Sequence, residues 1–412
     1  MEVFMPIEAF RFVHSADFHL EQALYGLSEI PESLREILID APMLAVESVF
    51  DTAVANHVDF MILAGDILDP LVAGPRACHF LSSQFERMDA AEIFVYWCPG
   101  KADQGKRLTD AVQIPENVIL FSSTSIEAVV HQRDETPLAT IISLGNLDSN
   151  RIDFANLSER EADEYTIAVG YGRADSESFA KADVDYWALG GRHELQTDSK
   201  NSPTIHYPGS PQGRCAIEPG SHGCSLVSVG TKHQAKIQHV ETNVVRWRNE
   251  SIKLDSIDSA DALKDALGEQ MLNLAADQQD VPQLVSWRIE LPSEFAANHA
   301  RQPTAIELTK WLRDEFADTL PLIWTVTIDI ETPTKIPMSW REEESILGDF
   351  LRAVHQLQND SEQPIKLDAY LSGELADSLS SVISLTDSTT RNEVLRETTM
   401  LGVNLLRGSD AA

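Results

Sequence analysis

Positive charge is scarce in this sequence beside negative charge. It carries 32 Lys and Arg against 65 Asp and Glu, for a formal net charge of -33. A surface of that sign repels a phosphate backbone over most of its area, so charge gives no support for binding DNA. A local basic groove or a bound metal would have to reverse the field, and a plainer role for the excess is solubility. Cysteine is scarce as well. Cys78, Cys98, Cys215 and Cys224 form no C-x-x-C pair, which argues against both a zinc site and a disulfide framework and makes a reduced cytoplasmic setting the default. Apolar runs long enough to span a bilayer are missing, so no membrane role is expected. Met1 to Phe10 contains Glu2 and Glu8 and lacks a basic n-region, so no secretory signal is expected.

What is present is a globular balance, 43% hydrophobic and 24% charged, over 412 residues, enough for two or three domains. Short apolar runs alternate with helical stretches. Phe10–His14, Asp59–Ala64, Ile93–Cys98, Val118–Phe121, Thr140–Leu144, Thr166–Val169 and Tyr186–Leu189 read as strands, with a helix around Leu44 to Val54. Thr204–Tyr207, Ser225–Val229 and Ala235–Val240 read as a β-meander. Together these predict a layered α/β sandwich over residues 8–242. Residues 243–332 read as a small β-α-β-α-β unit, because Val285 to Leu291 and Trp324 to Ile330 alternate cleanly and follow helix candidates at Ala262–Leu274 and Ala305–Phe316. After a linker marked by Pro333 and Pro337, residues 340–412 read as helical. One apolar stripe runs through Ile346, Leu347, Phe350, Leu351, Val354 and Leu357, and a weaker one through Val394, Leu395, Leu401, Leu405 and Leu406.

The chemistry-bearing residues follow the first two strands. Asp17 and His19, in His14-Ser-Ala-Asp17-Phe-His19-Leu20, are two apart, so on an extended segment they point the same way. A carboxylate and an imidazole so placed can hold one divalent ion. Gly65-Asp66-Ile-Leu-Asp69 closes the next strand, with a glycine that allows a tight turn. In open α/β sheets such strand ends gather ligands at one edge. Asp69 and Asp103 read as residues that hold loops and orient ligands. His14 reads as structural, while His79, His222 and His233 read as surface histidines. Arg192 and Arg214 read as salt-bridge partners, and Cys215 and Cys224 as buried small residues.

The runs HSADFHL and LAGDILD resemble the first two motifs of the calcineurin-like metallophosphoesterases, and most of all those of the SbcD/YhaO-type DNA-repair exonucleases. Pro208–Arg214 (PGSPQGR) and His222–Val229 extend the likeness. It implies a four-layer α/β metallophosphoesterase sandwich, a small α/β cap domain that engages DNA, and C-terminal helices that dock an SbcC/YhaN-like coiled-coil ATPase. It also implies phosphodiester hydrolysis with two metal ions, usually manganese.

Against that pattern the sequence departs on one side. The resemblance implies a first metal shell of Asp17, His19, Asp66 and His193, and all four are present. The second ion would share Asp66 and needs an Asn and two His, where Lys101, Tyr171 and Gly191 stand; Ala102 replaces the histidine that assists the leaving group. The expectation is therefore one divalent ion and nuclease activity weak or absent, with a scaffold role beside the ATPase. Two alternatives are an active single-metal hydrolase and a metal-independent interaction module. Lys101 could also place an ammonium beside Asp66 in place of the second ion, or simply face solvent.

Overall fold

The computed structural model describes residues 8–103, 107–146, 164–172, 179, 182–198, 203–257, 259–276, 281–291, 301–319, 322–331, 338–359 and 388–407. Two six-stranded sheets face each other. Four parallel strands open the first: β1 (Phe10–Ser15), β2 (Phe60–Ala64), β3 (Phe94–Cys98) and β4 (Val118–Leu120). The second sheet is built from β5 (Glu127–Arg133), β6 (Thr136–Asn146), β7 (Tyr165–Tyr171), β8 (Tyr186–Gly190), β9 (Gln196–Asp198) and β10 (Thr204–Tyr207), in the order β5-β6-β7-β8-β10-β9. The chain then returns to the first sheet through β11 (Gly223–Val229) and β12 (Ala235–Glu241), giving the order β12-β11-β1-β2-β3-β4.

Thr204–Tyr207 thus belongs to a different sheet from the two strands that follow it, and the expected three-strand meander does not form. β10 pairs in parallel with β8, whereas β11 runs antiparallel to β1. β5 also escaped the sequence reading: Glu127, Ala128, Val130 and Gln132 on it are exposed, so its apolar signal is weak.

The Phe60-Met-Ile-Leu-Ala64 run is apolar throughout because both faces of the first sheet are covered. Its residues alternate between two cores, as a period of two requires. Met61 and Leu63 join the helix-side core with Val46, Val49, Phe50, Leu81 and Phe85. These come from α1 (Glu32–Ala55) and α2 (Pro75–Ala90). Phe60, Ile62 and Ala64 enter the core between the sheets, against Ile141, Tyr165, Ile167, Val169 and Tyr186. Phe12 stacks on Phe60 there, with ring centroids 5.1 Å apart. On the far side of the second sheet, Phe179, Ala182 and Val184 cover Trp187 and Leu189. A short helix, α3 (Arg107–Ala111), buries Leu108 in the helix-side core.

A third sheet follows, ordered β13 (Arg246–Lys253), β14 (Gln283–Glu290), β15 (Ile323–Glu331), with α4 (Ala260–Ala276) and α5 (Arg301–Glu315) between successive strands. Trp247, Leu284, Trp324 and Val326 share a core with Leu34 and Leu38 of α1. These three sheets form one compact unit, residues 1–252, 258–289 and 301–330; the second unit is 253–257, 290–300 and 331–412.

The second unit contains α6 (Met338–Glu342), α7 (Ile346–Asn359) and α8 (Ser388–Arg407). Leu347 and Leu351 pack on Val403, with Trp340 and Phe350 against them. Gly402 permits that crossing, since a Cβ there would fall 2.2 Å from the Phe350 ring. The Pro333–Pro337 linker lies outside the described residues.

Candidate metal centre

Every candidate ligand sits on a loop at one end of the two large sheets. The loop after β1 is stitched to the loop after β2 by backbone hydrogen bonds, Asp17 N–H to Gly65 O and His19 N–H to Asp66 O, each 2.9 Å. Asp17, His19 and Asp66 all have left-handed backbone, with φ of 55°, 42° and 52°. That conformation is disfavoured for side-chain-bearing residues, and its concentration here marks a site whose geometry is imposed by its surroundings. The loops meet with little room. A Cβ on Gly65 would lie 2.6 Å from the Tyr171 ring, and one on Gly100 would lie 2.4 Å from Asp66 Oδ1.

Asp17, His19 and His193 converge: one potential ligand atom from each lies within 4.8 Å of the others. Asp66 stands beside them, with Oδ2 3.6 Å from His19 Nε2, outside that closest trio. His19 Nδ1 faces Glu21 and Gln22, each at 3.3 Å. Its Nε2 is buried and has no hydrogen-bond partner among the described residues. A buried nitrogen lone pair left without a partner, beside a second imidazole and carboxylates, fits a divalent ion by the chemistry of its donors. The Asp17 carboxyl is raised, chiefly by burial and also by Asp66, while His193 and His19 oppose the shift. A cation at the trio would offset that cost.

His193 is oriented by Arg214 and by Glu218, and sequence reading missed Glu218. Its Nδ1 lies 2.6 Å from Glu218 Oε1, and Arg214 Nη2 lies 3.0 and 3.3 Å from the two ring nitrogens. Burial disfavours the charged imidazole, but the Glu218 hydrogen bond and Asp17 outweigh it and raise its pKa. Burial also works to raise the Glu218 carboxyl; the His193 hydrogen bond and the Arg214 charge hold it down at about 2. Arg214 pairs with Glu218 at 3.6 Å, as the salt-bridge reading had it. Glu218 is 25 residues from His193 and carries no motif signal; Glu21 was detectable only by its place two residues after His19.

Asp66 is engaged by protein donors on both oxygens. Ala102 N–H donates to Oδ1 at 2.8 Å, and the Tyr171 hydroxyl donates to Oδ2 at 2.5 Å. Burial above all, then the Asp66 and Asp17 charges, raise the Tyr171 pKa far up, so the phenol keeps its proton. Lys101 is exposed. Gly191 turns with φ of 90° and its N–H donates to both Asp17 oxygens, at 3.1 and 3.0 Å.

Asp103 holds the loops. Its carboxylate accepts from Asp66 N, Ile67 N, Gly100 N and Trp97 Nε1, while burial and then Asp66 push its pKa up to about 7. Asp69 accepts from Leu71 N–H in its own turn and donates its N–H to Glu21, so it reaches His19 through one residue. His14 is buried against Tyr186 and His206. His222 is not a surface histidine: it is buried, bound by Ser210 and the Glu218 carbonyl. Cys215 and Cys224 are buried.

No family profile matches the chain. Over 335 residues, 78% of this chain and 81% of the relative, it is 27% identical to a curated protein of Bacillus subtilis (strain 168) described as the uncharacterized metallophosphoesterase YhaO. Solved structures with a more distant likeness include a dimetal phosphatase from Danio rerio, at 10% identity and a TM-score of 0.34 over 56% of this chain and 98% of that one. Vacuolar Protein Sorting 29 from Cryptosporidium parvum is another, at 16% identity and a TM-score of 0.25 over 57% and 99%. Among the described residues no helix is long and apolar enough to cross a membrane.

Proposed function

Starting from its likeness to a YhaO-type metallophosphoesterase, we propose that this chain holds one divalent ion at Asp17, His19, Asp66 and His193 and has lost most or all two-metal phosphodiesterase activity. The observation that carries the reading is the 2.5 Å hydrogen bond from Tyr171 to Asp66. Asp66 is the carboxylate two ions would share, and Tyr171 stands where the resemblance puts a histidine of the second shell. A phenol that keeps its proton offers a hydrogen bond in place of an imidazole lone pair. Lys101 and Gly191 supply no side-chain lone pair at neutral pH.

Bound at this centre, a divalent ion supplies Lewis acidity toward a phosphoryl oxygen and acidifies a coordinated water. The chain's part is to present Asp17, His19 and His193 in fixed orientation, with Glu21 and Glu218 steering the imidazoles. The carboxylate donors suit manganese, the family's usual ion, and the imidazoles also suit zinc. A second ion would add further stabilisation of developing charge; Lys101, Tyr171 and Gly191 stand where the resemblance puts its ligands. Ala102 removes a proton donor as well, and such general acid–base help is typically worth about 10²–10⁴-fold.

The retained role is a cytoplasmic scaffold beside an SbcC/YhaN-like coiled-coil ATPase in DNA repair. The four free thiols fit a cytoplasmic setting, and the exposed Ile346, Leu401 and Leu405 on the C-terminal helices fit a docking partner. Metal counting on the purified chain should give one manganese per chain. Robust manganese-dependent DNA degradation that Asp66→Ala abolishes would overturn the proposal.

A second reading, a single-metal hydrolase acting on another phosphoester, is favoured by the unpartnered His19 Nε2. A phosphoester screen without metal-dependent turnover removes it. The third, a metal-independent interaction module, predicts no calorimetric binding of manganese or zinc.

A further inference from the structure

We propose that this chain carries a second ligand site, a basic cavity at the end of the first sheet opposite the metal centre, which takes a compact polyanion such as a small molecule bearing two or more phosphates. The cavity shares no lining residue with Asp17, His19, Asp66 or His193.

The cavity has a volume of about 810 Å³. Its lining includes Arg11, His57, Asp59, Arg133, Lys232 and Lys236. Arg11 is near the start of β1 and Asp59 immediately precedes β2, whereas Asp17 and Asp66 follow the ends of the same strands. β1 has six residues, which puts roughly 20 Å between the two sites.

Arg11, Ser228 and Lys236 stand directly opposite one another across three adjacent strands, so their side chains share one face of the sheet. Lys232 comes from the turn between β11 and β12. Arg133 is already answered: it binds Asp59 through Nε at 2.7 Å and reaches Glu8 at 3.5 Å. Arg11, Lys232 and Lys236 make no ion pair among the described residues. This is unusual in a chain where acids outnumber bases two to one, 65 to 32. Three cations gathered at one cavity repel each other unless an anion shares them.

The chemistry of the anion follows from size and field. Arg and Lys together recognise phosphate, Arg by its planar fork and Lys as a point charge. The volume falls within the roughly 300–1,000 Å³ of small-molecule sites. A long polyanion leaving the cavity would cross a strongly acidic surface, whereas a compact one stays inside the local positive field.

The test is calorimetric titration of the full chain with tripolyphosphate in EDTA, which removes metal-bridged binding. One equivalent should bind, more weakly as salt rises. Lys232→Ala/Lys236→Ala should weaken it at least about tenfold, and Arg11→Gln alone should weaken it in the same direction. All three residues are exposed, and unchanged thermal unfolding of each variant certifies the fold. Absence of binding overturns the proposal, as does binding that neither variant changes. A short single-stranded oligonucleotide serves as the second probe. If it binds more tightly than tripolyphosphate and is lost in the same variants, the cavity serves a nucleic-acid backbone and the compact-ligand assignment fails.

Discussion

The Tyr171 hydroxyl donates to Asp66 Oδ2 across 2.5 Å inside the buried end of the two large sheets. Tyr171→Phe deletes that donor and leaves a buried carboxylate one partner short. Urea unfolding should report a loss of about 1–3 kcal/mol. Tyr171→His should still bind a single manganese by metal analysis, because Lys101 and Gly191 remain without ligand atoms; two ions per chain would contradict the one-shell reading.

Glu218 steers His193 through a 2.6 Å contact to Nδ1. Glu218→Gln should reduce manganese or zinc affinity by about 10–100-fold, the usual effect of losing the partner of a ligating histidine. Calorimetry reads this directly, and an unchanged dissociation constant would separate Glu218 from the centre.

Gly190 ends β8 where a Cβ would sit 1.6 Å from the Ala64 carbonyl oxygen at the end of β2. This close approach of the two sheets brings the Asp66 and His193 loops together. Gly190→Ala should cost more than about 3 kcal/mol, as overpacking against fixed backbone does. The expected readout is a chain that is insoluble or melts far below the parent.

His131 on β5 is buried and bonded to the Tyr96 hydroxyl at 2.9 Å, and burial lowers its pKa to about 4. It is neutral in the fold and binds a proton more readily when unfolded. Its contribution is therefore complete above about pH 6.5 and is lost as pH falls toward 4, with a slope of up to about 1.4 kcal/mol per pH unit. Denaturant titrations at successive pH values should show a shallower acid slope in His131→Gln than in the parent.

The sandwich was legible because its strands are unusually plain. Phe60 to Ala64 and Tyr165 to Tyr171 are apolar at almost every position, and only a strand covered on both faces needs that. β5 was not legible, since its outward residues are polar and its pairing with β6 supplies what its own sequence does not signal. Thr204–Tyr207 shows the complementary limit: it is recognisable as a strand, but the sheet it joins depends on a parallel pairing with β8, which a local pattern does not encode.

At the candidate centre, the amino-acid sequence by itself determined which donors exist: Asp17, His19, Asp66 and His193 bring carboxylates and imidazoles, whereas Ala102 and Gly191 bring no side-chain donor and Tyr171 a phenol. Tertiary structure decided what those residues touch. It brought His193 to Asp17 and His19, recruited Glu21 and Glu218 behind the imidazoles, and aimed the Tyr171 hydroxyl at Asp66. It also collected Arg11, Lys232 and Lys236 at the far end of the same sheet. The physical reason is that residue type fixes the lone pairs and charges available, whereas hydrogen bonds and fields depend on distances that only the folding of remote strands onto one edge can set.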